Sequence, residues 1–104
     1  MIFRRRRFSD LIERQLDLFV RDHADVIEEA RQRLDAYNRA DRSEAEELYG
    51  NYADALETGT EILADLRDSF ARTLDDETAE EYETEFNRAV VKRLPPFGLE
   101  IENR

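Results

Sequence analysis

Hydrophobic residues recur at alternating spacings of about four and three through two long stretches of the chain. The first stripe is Leu16, Val20, His23, Ile27, Ala30, Leu34 and Tyr37, and the second is Ala45, Tyr49, Tyr52, Leu56, Gly59, Leu63, Leu66 and Phe70. Seven residues make nearly two helical turns, so this rhythm keeps one stripe of each helix against a neighbour. The pattern predicts a helix over about 9–39 and a second over about 44–74, separated by a polar break at 40–43. Ser9, followed by Asp10, is the expected cap of the first helix. Ser43 and Glu46 have the spacing of a capping box for the second. A third helix is expected over about 77–94, capped by Asp75 and Asp76, with an apolar face of Ala79, Tyr82, Phe86, Ala89, Val90 and Leu94. Arg88, Lys92 and Arg93 complement the dipole at its end, and Pro95-Pro96 should stop it. Beyond the prolines, Phe97-Gly98-Leu99-Glu100-Ile101 alternates as an extended tail would.

A break this short makes consecutive helices antiparallel neighbours. Pairing the stripes head to tail sets Tyr37 opposite Ala45, Ala30 opposite Tyr52 and His23 opposite Gly59. Each pair matches a large residue with a small one, as close packing requires. Away from the turn the apolar face widens, with Leu11, Phe19 and Val26 added on the first helix and Ala55, Ile62 and Leu74 on the second. A wide face needs a second neighbour, which the third helix supplies. The expected fold is therefore all-α, a three-helix bundle: a long antiparallel hairpin with a shorter third helix on its distal half. Residues 1–8 would form a basic arm, 9–94 the domain and 95–104 the tail. The turn-proximal half keeps a narrow stripe with Tyr37, Leu48, Tyr49 and Tyr52, and no further helix is left to cover it. These four residues are the candidate self-association surface, through which two chains would form a helical-bundle dimer. Large exposed apolar patches are unusual on monomers, and tyrosine is enriched at interfaces.

Charged residues make up 40% of the chain and hydrophobic ones another 40%. Because the apolar residues are periodic, this composition reads as helices with solvated faces rather than as disorder. The net charge is -10, but the first eight residues hold four arginines and no acid, so the rest carries about -14. Residues 75–85 hold seven acids and no base. Such a body repels nucleic acid. Arg4, Arg5, Arg6 and Arg7, flanked by Ile2, Phe3 and Phe8, form the candidate anion-binding arm, suited to an anionic membrane surface or to nucleic-acid phosphates. The competing expectation is that the arm pairs with the acidic start of the third helix. Arg5-Arg6-Arg7-Phe8 resembles the charged part of a twin-arginine export signal, but Asp10, Glu13 and Arg14 follow where an uncharged apolar stretch is required. A cytoplasmic location is expected.

Candidate chemistry is sparse. Without cysteine there is no disulfide, thiol nucleophile or thiolate-bound zinc. His23, the only histidine, lies on the apolar stripe as a core residue would. Four-helix di-iron centres need Glu-x-x-His pairs with inward carboxylates. Here Val20 stands three residues before His23, and the stripe carries no acid. No phosphate-cradling glycine loop or dinucleotide fingerprint is present. The expected role is a non-enzymatic interaction or scaffold module that self-associates through its apolar helix faces, with no catalytic residue, cofactor or metal. The alternative is a peripheral adaptor whose arginine arm touches a membrane surface or nucleic acid.

Overall fold

A computed structural model describes residues 7–104, which form five α-helices and no strand. They are α1 (Ser9–Asp22), α2 (Ala24–Asn38), α3 (Ala45–Ala71), α4 (Asp76–Arg93) and α5 (Pro95–Ile101).

The second apolar stripe becomes α3, the longest helix. Ala55, Gly59, Thr60, Leu63, Ala64, Arg67 and Ala71 are buried along it, a wide face that takes more than one neighbour. Its start differs from the capping box expected of Ser43 and Glu46, because Glu44 fills the cap position with no side-chain bond. Asp41 serves instead. Its Oδ1 accepts from the Ser43 N–H at 3.0 Å, the Ser43 hydroxyl at 2.7 Å and the Glu44 N–H at 3.2 Å. An ionised carboxylate is a stronger acceptor than a serine hydroxyl, and aspartate readily bonds backbone two residues ahead. At α1 the expected cap Ser9 lies inside the first turn, and Phe8 holds the cap position without a side-chain bond. Tertiary contacts anchor that end: the Phe8 ring packs edge-on against Tyr82 at 5.4 Å, and its N–H donates to Glu85 at 3.3 Å. At α4 the cap is the expected one, with Asp75 accepting from the Thr78 N–H at 2.8 Å.

The single helix expected over 9–39 is broken at His23, where φ is -124° and ψ is 35°. The His23 N–H still closes α1 on the Phe19 carbonyl at 2.8 Å, and its own carbonyl opens α2 by accepting from Val26 and Ile27. No proline or glycine stands at the break. Phe97 of α5 lies edge-on to Phe19 at 6.2 Å and directly on Gly59, where an added Cβ would stand 2.3 Å from the ring. The space opposite Gly59 expected for His23 thus belongs to Phe97. α2 lies along α3, while α1 turns away to pack on α4.

The extended tail expected over 95–104 is likewise replaced by a helix through residue 101. Leu94 leaves helical geometry and ends α4, and Pro95 then opens α5. Proline suits a first helical position because its fixed φ is already helical and its missing N–H is not needed there. Phe97 and Ile101, about one turn apart, are both buried.

The core gathers where α1, α3, α4 and α5 meet, around Leu16, Leu63, Tyr82, Phe86, Val90 and Ile101, each at most 1% exposed. Arg67 is buried beside it. Its Nη1 donates to Asn87 Oδ1 at 2.9 Å and to the Ile101 carbonyl at 3.1 Å, tying α3 to α4 and to the end of α5. The Tyr82 hydroxyl donates to Gln15 Oε1 at 2.9 Å. Among the described residues no buried side-chain nitrogen or oxygen lacks a partner. By contrast, α2 buries only Ala30. The radius of gyration is 15.9 Å, against about 13 Å for a compact chain of this length. The extents of 54 × 29 × 23 Å agree with an α2–α3 pair that reaches beyond the core.

Candidate interaction surfaces

At the end away from the core, three of the four residues expected to form a self-association surface meet as one aromatic row. Tyr37 and Tyr49 pack edge-on at 5.3 Å, and Tyr49 and Tyr52 at 6.3 Å. Tyr37 reaches Tyr49 rather than being confined to the expected Ala45, because helical side chains lean towards their helix N-terminus. For Tyr37 that direction leads away from the turn and farther along α3. Arg33 steadies the pair by donating to the Asn51 carbonyl at 2.8 Å. Tyr37, Leu48 and Tyr52 are half-buried, and Tyr49 is 54% exposed. Around this row stand Arg39, Arg42, Glu46 and Glu47, all exposed and in no ion pair among the described residues.

Tyr52 also borders an apolar groove of about 220 Å³, which Ile27, Ala30 and Leu34 line from one side and Pro95 and Phe97 from the other. Arg31 and Arg93 flank it. Arg31 pairs within its own helix to Glu28 and to Asp35, and Arg93 reaches Asp17 of α1 at 2.5 Å. Sequence reasoning missed the groove because it read one wall as an extended tail. The signal was present in a proline at a helix start and apolar residues four apart at Phe97 and Ile101. Leu99 follows Pro95 by one turn on the same face of α5 and is 81% exposed.

Of the candidate anion-binding arm, Arg4, Arg5 and Arg6 lie outside the described residues. Arg7 is directed to the acidic start of α4, with Nη1 3.7 Å from Glu81. Its guanidinium stands 5.5 Å from the centroid of the Phe8 ring. Both partners of the ion pair are solvated, so the contact orients more than it stabilises. The neighbouring Asp75 carboxyl is held below the usual carboxylate range, chiefly by the Thr78 N–H and to a lesser degree by the charge of Arg7.

His23 is half-buried at the helix break, its ring tilted against Phe19 at 5.5 Å. Among the described residues no three histidine, aspartate or glutamate side chains converge as a metal site, and no helix is long and apolar enough to cross a membrane. Comparison of the chain with protein-family models, curated proteins and solved structures finds no match.

Proposed function

We propose that the chain is a non-enzymatic interaction module that pairs with a second copy of itself through the α2–α3 end bearing Tyr37, Tyr49 and Tyr52. The observation that carries this reading is the tyrosine row, with Tyr49 more than half exposed at its centre. Along α2 only Ala30 is fully buried, and the half-buried Ile27, Leu34 and Tyr37 leave part of its apolar stripe in solvent. A second copy would cover the rest of its apolar stripe. The charges around the row suit that partner. Arg39 and Arg42 lie at the end of α2 and in the turn, and Glu46 and Glu47 lie at the start of α3. Both signs are present at this end, so a second copy carries the complement of each group.

Sedimentation of the full chain tests the proposal. A dimer is expected at micromolar concentration. Replacing the exposed Tyr49→Glu should weaken association about tenfold or more, about 1.4 kcal/mol or more, with helix content unchanged. An unaltered chain that remains monomeric at high micromolar concentration overturns the reading.

A further inference from the structure

Leu99 is the most exposed of the large hydrophobic residues among those described, yet it sits on a firmly held element. Phe97 and Ile101, on the inner face of the same helix, are 2% and 0% exposed. An apolar side chain presented outward from an anchored helix loses little freedom on binding, which is how interface anchors work. The groove beside it is the complement of such an anchor. It holds about 220 Å³ between Leu34, Tyr52 and Phe97, room for a branched aliphatic side chain. Acids follow Leu99 at Glu100 and Glu102, whereas arginines bracket the groove at Arg31 and Arg93.

We infer that Leu99 of one copy seats in the groove between α2, α3 and α5 of a second copy, and that the exchange is mutual. This deepens, and rests on, the self-association proposed above. Three features select a second copy as the occupant. Glu100 and Glu102 beside Leu99 meet Arg31 and Arg93 at the groove, whose present pairs with Glu28, Asp35 and Asp17 are solvated and weak enough to exchange. Pro95 in the groove wall and Leu99 one turn later share a face of α5, so a two-fold axis near that helix lets both copies insert at once and closes the assembly at two. The groove also continues through Tyr52 into the tyrosine row, giving one surface rather than two separate patches.

The chain contains no cysteine, so single cysteines report contacts without background. Equal amounts of Leu99→Cys and Leu34→Cys chains are mixed and oxidised, and the linked peptides are identified by mass spectrometry. A disulfide joining the two variants is expected. Leu99→Asp, at an exposed position, is expected to weaken association at least about tenfold in sedimentation with helix content unchanged. If the unaltered chain dimerises, the two variants do not cross-link and Leu99→Asp dimerises normally, the groove contact is overturned while pairing through the tyrosines stands. If Leu99→Asp is monomeric and Tyr49→Glu still dimerises, the groove contact stands and the tyrosine row does not carry the pairing. A monomeric unaltered chain overturns both.

Discussion

Gly50 and Gly59 lie in the same helix but in opposite circumstances. Around Gly50 nothing stands within 4 Å of where a Cβ would be. Gly50→Ala should therefore stabilise the protein by about 0.5–1 kcal/mol through helix propensity alone. At Gly59 the new Cβ would meet Phe97 Cε1 at 2.3 Å, and that ring also packs edge-on with Phe19. Overpacking costs about 1–3 kcal/mol, which outweighs the propensity gain, so Gly59→Ala should be a net loss of about 1 kcal/mol. Urea unfolding of the two variants decides the signs. Tyr82 sets a second test. Burial pushes its phenol from the ordinary value near 10 up to about 12. Between these values the unfolded chain has lost the proton and the folded chain keeps it. Stability is therefore full below about pH 10 and falls by on the order of 2 kcal/mol as the pH approaches 12. Tyr82→Phe should lose this slope while being about 1 kcal/mol less stable at neutral pH, where Gln15 is left unpaired. Unfolding titrations at about pH 8 and about pH 11 compare them.

Among the elements, helix type was legible and helix ends were less so. The regular spacing of apolar residues marked every segment that is helical in α1 to α4, but the choice of cap depended on which acceptor reached the backbone first. Asp41, rather than Ser43, takes the free N–H groups before α3. The Ser43 hydroxyl, then the Glu44 and Ser43 N–H groups, hold its carboxyl below the usual range. Asp41→Ala should lower the melting temperature more than Ser43→Ala. Because the folded pKa is depressed, that difference is present above the ordinary carboxylate range and closes as acid protonates Asp41. Melting curves at neutral and acid pH check both statements. The break at His23 had no local signal at all. The space over Gly59 expected for His23 is taken by Phe97, which lies 74 positions after His23 in the sequence, and no reading of one helix at a time reaches that.

At the scale of the molecule, burial is uneven. The second half of α3 is walled in by α4 and α5, whereas α2 buries only Ala30. Regions with few buried contacts open locally at low cost. Amides of α2 should therefore exchange with solvent faster than those near Leu63 in dilute protein. Under the proposed self-association, protection of α2 should rise with protein concentration while that of α3 near Leu63 changes little. Hydrogen exchange followed by mass spectrometry across a dilution series measures this. Protection of α2 independent of concentration would count against pairing at that end.

Legible in the sequence were the helical character of the described chain, the turn at Asp41, the cap of α4 and the aromatic group at one end. These follow from spacing and local chemistry, which act within a few residues. The folded chain was needed to show which residue fills the space over Gly59, where the first helix breaks, and that Leu99 is left in solvent. The filling of that space is a competition between distant side chains for one volume. The winner, Phe97, fits that space because Gly59 lacks a Cβ and Pro95 turns the chain back onto it.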